Sequence, residues 1–192
     1  MPCVKGEAIR QFLRWYVGKF DVERLGRYLE RLPPEASSQF DLGASTFGFV
    51  ASTWYPASIL HGLIDVMLAQ YSPDERQSFA REAAKATMDQ NMKGVYRLLF
   101  EALMTPERYA KRAQQLFDRF YDAGTITKEV VARNVHLTRI QGWTSHHPVL
   151  CDVMLYTGEY VYPFLGCRHV VVRRFECISR GDRICKYEVR WD

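Results

Sequence analysis

Along the first two-thirds of the chain, apolar residues recur at helical spacing. Ile9, Phe12, Leu13, Tyr16 and Val17 form one stripe, and Leu25, Tyr28, Leu29 and Leu32 form the next. Such spacing turns one face of a helix toward a core. Pro33-Pro34 closes the second stripe, because a proline restricts the residue before it. Residues 37–52, with their glycines and serines, carry no clear period. Pro56 suits the first turn of a helix reaching about Tyr71. Ser72-Pro73-Asp74-Glu75 combines a cap, a first-turn proline and a capping-box glutamate, and predicts a helix to about Met92. Gly94 separates it from a further helix over 95–104. Thr105-Pro106-Glu107 repeats the start signal, and Tyr109, Ala113, Leu116, Phe117 and Phe120 supply the stripe that follows.

After Asp122-Ala123-Gly124 the period falls to two. Val131, Arg133, Val135, Leu137 and Arg139 alternate with Ala132, Asn134, His136 and Thr138, which reads as one strand. His147-Pro148 opens a helix to about Leu165, with Gly166 as its cap. Residues 167–179 and 183–192 are then two strands around Arg180-Gly181-Asp182. The expected fold is α+β: an N-terminal helical layer packed on a small C-terminal antiparallel sheet, in strand-helix-strand-strand order. One domain over 1–192 is expected, with 1–122 as its helical part and 123–192 as the strand-helix-strand-strand part.

Composition narrows the class. The chain has 192 residues, 47% of them hydrophobic, enough to bury a core without disulfides or metal. The net charge of +4 is too small for a polyanion-binding tail. Met1 to Gly6 lacks the apolar stretch of a secretory signal, and His61 and Asp65 interrupt the longest apolar run, so no membrane span and a cytoplasmic location are expected. Seven basic residues (Arg168, Arg173, Arg174, Arg180, Arg183, Lys186, Arg190) face four acids in the last strands. The acids interleave and no reading motif is present, so this is a solvated sheet face and no nucleic-acid partner is expected.

Five cysteines cannot all pair within one chain. With Arg180-Gly181-Asp182 as a three-residue hairpin loop, Cys177 falls opposite Cys185, both pointing inward roughly 4.5–5.5 Å apart at Cβ. By the same alternation Val171, Phe175 and Cys177 face the core, while Arg174 and Glu176 face solvent. Cys151 lies in the helix that must cover this sheet, and His147 stands one i, i+4 step before it. Three readings stay open: inert buried thiols, a zinc site of Cys151, Cys177, Cys185 and His147, or a reversible Cys177–Cys185 disulfide. Elsewhere, Ser58, His61 and Asp65 fall at i, i+3 and i+7 of one helix, a polar seam rather than a triad. A heme would recruit His61 or His136. Trp54, Tyr55, Tyr160, Phe164, Phe175 and Tyr187 are either core or the lining of an apolar ligand pocket.

The run Cys177-Ile-Ser-Arg-Gly181-Asp182-Arg-Ile-Cys185-Lys-Tyr187-Glu-Val resembles the closing motif of 4-vinyl-reductase-type domains, and Cys151 falls where sensor members of that family place a metal-binding cysteine. Their fold is shared with heme-NO-binding domains and vesicle-tethering TRAPP subunits. Trp54-Tyr55-Pro56, Gly94-Val95-Tyr96-Arg97-Leu98-Leu99, Tyr121-Asp122-Ala-Gly124 and His147-Pro148 are similar to a large myxobacterial paralogous family of unassigned function. Zinc-binding sensors place a glutamate where this chain has Arg174. The resemblance implies a non-enzymatic sensing or regulatory protein-interaction domain, with a hydrophobic small molecule held between helices and sheet. Its output would pass through homodimerisation or a protein partner. The alternatives are an enzyme accessory in tetrapyrrole metabolism and a structural adaptor without ligand.

Overall fold

The computed structural model describes residues 1–92 and 104–192. The expected helix over 95–104 and the Gly94–Leu99 motif lie outside the described residues, apart from Met104. Strand β1 (Cys3–Lys5) pairs antiparallel with β2 (Trp54–Pro56), with Val4 opposite Tyr55. Between them run α1 (Gly6–Lys19), α2 (Val22–Leu29) and the short α3 (Pro34–Ser37). Helix α4 (Ala57–Leu68) follows Pro56, as the sequence predicts, and buries Ile59, Leu60, Leu63, Ile64, Met67 and Leu68. Helix α5 (Pro73–Asn91) begins with the expected capping box between Ser72 and Glu75. The expected helix from Pro106 is interrupted at Arg112, giving α6 (Pro106–Lys111) and α7 (Ala113–Phe117).

The sheet has four strands where the sequence reading expected three. Residues 125–141 form a hairpin of β3 (Thr125–Ala132) and β4 (Val135–Gln141) rather than one strand over 131–139. The turn at Arg133-Asn134 contains neither glycine nor proline, and a β-bulge between Val130 and Ala132 offsets its two residues and brings the alternation back into phase. Ile126 opposes Ile140 and Lys128 opposes Thr138, so even-numbered residues face inward on both strands. The period of two therefore passes through the turn unbroken. Helix α8 (Pro148–Phe164) follows, then β5 (Val171–Glu176) and β6 (Cys185–Arg190), in the antiparallel order β3-β4-β6-β5.

Helix α8 lies on β5 and β6, with α5 along its other side. Gly158 permits this approach: a Cβ there would stand 3.1 Å from the methyls of both Val172 and Val189. A β-bulge between Arg174 and Glu176 re-phases β5. Glu176 opposes Lys186, in the register expected from the hairpin, but Arg174 opposes Tyr187 and the earlier pairs are shifted by one residue. The expected faces are thereby exchanged. Val171 and Phe175 are 62% and 45% exposed, whereas Arg174 turns inward.

Candidate functional site

Three elements bring thiols to one point. Cys151 lies in the first turns of α8, Cys185 opens β6, and Cys177 ends the extended stretch that follows β5. The turn between the last two is closed by polar contacts. The Cys177 N–H donates to Asp182 Oδ2 at 2.8 Å, Ile178–Arg180 form a 3₁₀ turn, and Gly181 takes φ 93°. A left-handed φ is one that glycine adopts without steric cost. Cys177 thus sits beyond the ladder rather than opposite Cys185, and all five cysteines are free. Cys151 Sγ and Cys185 Sγ are 3.6 Å apart, and the three sulfurs lie within 4.8 Å of one another. All three residues are buried.

The cluster is electrostatically uneven. Hydrogen bonds to Cys177 from Cys151, from Cys185 and from Ser179 Oγ at 2.9 Å hold its thiol well below the ordinary range. The same bonds, with burial, push Cys151 up. The Ile178 N–H donates to Cys185 Sγ at 3.4 Å. Arg174 reaches in from the bulge, donating to the Cys151 carbonyl at 3.2 Å and to Asp152 Oδ1 at 2.6 Å. The sequence reading, with Arg174 on the solvent face, missed this cation beside the sulfurs. Only the bulge reveals it.

His147 is not part of the cluster. It is the N-cap of α8: its Nδ1 accepts from the Val149 N–H at 3.2 Å, and its Nε2–H therefore donates to Asp65 Oδ1 at 3.0 Å. Both nitrogens are committed. His61 stacks on it at 5.2 Å and donates from Nε2 to the Ser145 carbonyl at 3.1 Å. The polar stripe on α4 is therefore a seam fastening the 143–148 loop, with Ser58 exposed outside it.

The six aromatic candidates do not converge. Trp54 is 39% exposed beneath the Lys5 ammonium, and the Tyr55 hydroxyl accepts from the Val50 N–H at 2.9 Å, both on the separate β1–β2 sheet. Tyr160 and Phe164 are partly buried on α8, Phe175 is outside with Arg173 over its ring, and Tyr187 is buried.

A polar set of which the sequence reading named only His136, as a heme ligand, occupies the inner face of β3 and β4. His136 is wholly buried, sharing a 2.6 Å hydrogen bond from Nδ1 with the Tyr162 hydroxyl. Burial holds it down to about 4, and its Nε2 has no partner among the described residues. Lys128 donates to Thr138 Oγ1 at 2.8 Å and lies over the rings of Tyr109, Tyr162 and Tyr187. Desolvation lowers it to about 7. The signal lay in Thr125–Val130, whose alternation mirrors that of the following strand.

No family model matches the sequence, and no curated protein is similar to it. Solved structures do share the fold. An H-NOX (heme-NO-binding) protein from S. oneidensis, in its Fe(II)NO ligation state, matches with a TM-score of 0.69 over 98% of this chain and 99% of its own, at 11% identity. An unliganded Fe(II) H-NOX mutant from K. algicida gives 0.67 over 98% and 96%, at 13% identity. An oxygen-binding H-NOX domain related to soluble guanylate cyclases, solved as its oxygen complex, gives 0.66 over 98% and 95%, at 9% identity. The chain has the H-NOX fold. The comparisons do not show the likeness to 4-vinyl-reductase-type, TRAPP and myxobacterial proteins that the sequence motifs suggested.

These neighbours are heme proteins, and the histidines here can be tested as axial ligands for such a group. His61 and His147 are committed as described, and His169 is exposed beside Asp192. His136 offers a free nitrogen, but the Trp191 ring stands edge-on at 4.8 Å and that of Tyr162 at 5.6 Å. The buried His136 and His147 do not offer heme an axial ligand; His146 is half-buried, with its ring 6.4 Å from that of Trp143.

Proposed function

We propose that this chain is a non-enzymatic sensing or regulatory domain of H-NOX fold whose metal centre is zinc held by Cys151, Cys177 and Cys185. The convergence of three buried thiols carries this reading. A tetrahedral zinc with arms of about 2.3 Å holds its sulfurs about 3.8 Å apart, and the closest pair here is at 3.6 Å. Zinc with three thiolates carries a net charge of −1, and the Arg174 guanidinium beside Cys151 is the matching cation. Ser179 Oγ, within hydrogen-bond distance of Cys177, or a water completes the coordination. When bound, the ion crosslinks α8 to β6 and to the turn before it. The small-molecule ligands of the structural neighbours support a sensing role, with output through a second copy or a protein partner. His61 and Asp65 are committed to holding a loop and Ser58 lies apart from them, which supports a non-enzymatic reading.

Elemental analysis of the purified chain tests this. One zinc per chain is expected, with Cys177→Ser and Cys185→Ser both losing it and Cys167→Ser, outside the cluster, retaining it. Zinc retained in both cluster variants, or absent from the unaltered chain prepared with zinc present, overturns it.

A further inference from the structure

The sensing reading needs an input site, and among the described residues the six expected aromatics are spread over separate elements. The molecule carries a different concavity. Between the start of α5, the outer face of α8 and strand β5 with its following turn lies a cleft of about 570 Å³. That is within the range of small-molecule sites, roughly 300–1,000 Å³. Its rim and its floor differ in chemistry, and both point to one class of ligand.

The rim is cationic. Arg76, Arg81, Arg173, Arg174 and Arg180 face the cleft together with Asp74, Asp152 and Glu159. Two of the carboxylates are already taken, Glu159 by Arg81 at 3.2 Å and Asp152 by Arg174 at 2.6 Å. Arg76, Arg173 and Arg180 have no ion-pair partner among the described residues. Arg76 spends only its Nε, on the Tyr71 carbonyl at 3.0 Å. Arg173 lies over the Phe175 ring at 5.1 Å. Three planar guanidiniums drawn from three separate elements are thus left with their paired donors unspent. Such forks match carboxylate and phosphate oxygens two at a time.

The floor is apolar and fixed. Leu155 and Tyr156 are both buried, and Val172 flanks them. Gln77 holds the Tyr156 hydroxyl, and the Arg81 guanidinium lies over its ring at 4.5 Å. A ligand here sets a flat body against Val172 and the Arg81 guanidinium, which itself covers the Tyr156 ring, and its charged groups among the free arginines. Arg174 connects the cleft to the thiols, since the same guanidinium binds the Cys151 carbonyl.

We infer that this cleft binds a small organic anion, an apolar ring bearing phosphate or carboxylate groups, through Arg76, Arg173 and Arg180. The inference deepens the sensing reading by naming the class of ligand, and its cleft stands whether or not the thiols hold zinc. Isothermal titration of the whole chain with naphthyl phosphate, naphthalene dicarboxylate, inorganic phosphate and naphthol tests it, with zinc measured in each sample. The two naphthyl anions are expected to bind one per chain, weaker at higher salt, and inorganic phosphate and naphthol much more weakly. The tighter of the two anions tells phosphate from carboxylate recognition. Arg76→Ala and Arg180→Ala each lower affinity about tenfold, the loss expected when a charged hydrogen bond is removed. Both arginines are exposed, so far-ultraviolet circular dichroism should be unchanged. Naphthol binding as tightly as the anions, affinities unchanged in both variants, or no binding at millimolar anion overturns the inference. Zinc content unaltered beside failed anion binding would leave the metal centre standing, and the reverse would leave the cleft.

Discussion

His136 is the residue whose chemistry is set most completely by its surroundings. It is wholly buried on the inner face of β4, bonded to Tyr162 and edge-packed by Trp191. Desolvation, then the nearby Lys128 charge, lowers it from 6.5 to about 4. Between those values the unfolded chain binds a proton that the folded chain refuses, so stability rises with pH in that window. Acidification from about pH 6.5 to about pH 4 should therefore cost about 3 kcal/mol at this site. Denaturant unfolding at several pH values will show the loss, and His136→Asn, which cannot titrate, should remove that portion. An unchanged pH slope in the variant would contradict the assignment. Lys128 acts in the same direction at higher pH, since its folded value of about 7 lies below its ordinary one. His136 was singled out only as a heme ligand and Lys128 not at all, because an inward His or Lys on an alternating strand looks like its outward counterpart.

At the scale of elements, local signals account for the helices and miss two features of the sheet. The Ser72 capping box, Pro56 and Pro148 start their helices where the chain demands it. The β3–β4 turn was invisible because the bulge beside it keeps the strand phase and the turn uses no glycine or proline. The β5 bulge moves Arg174 in and Phe175 out, and its trace in the sequence was the Val171-Val172-Arg173-Arg174 doublet, which breaks alternation. The packing of α8 depends on Gly158, whose Cβ position is bounded by Val172 and Val189 at 3.1 Å. Gly158→Ala should raise helix propensity by about 1 kcal/mol but cost about 1–3 kcal/mol in overpacking. Net destabilisation is expected by thermal melting, and Val172→Ala in the same chain should restore much of it. A melting point raised by Gly158→Ala alone would show that the helix stands farther from the sheet.

Across the whole molecule, the helical part and the C-terminal sheet build an H-NOX fold in which the buried His136 and His147 are not open to a heme. Among them no helix is long and apolar enough to cross a membrane. The meeting of Cys151, Cys177 and Cys185 was legible in the sequence, because strand parity and helix position place all three on the side where α8 meets the sheet. The fourth partner was not legible. His147 shares a helix face with Cys151 on paper, but as the N-cap it turns its ring to Val149 and Asp65. The arginine cleft was hidden as well, since its cations come from α5, β5 and the turn beyond it. The native mass of the purified chain, supplied with both zinc and hemin, tests the central claim most directly. The thiol centre predicts the chain mass plus one zinc with no Soret absorption, whereas a chain that carries heme and no zinc would contradict it.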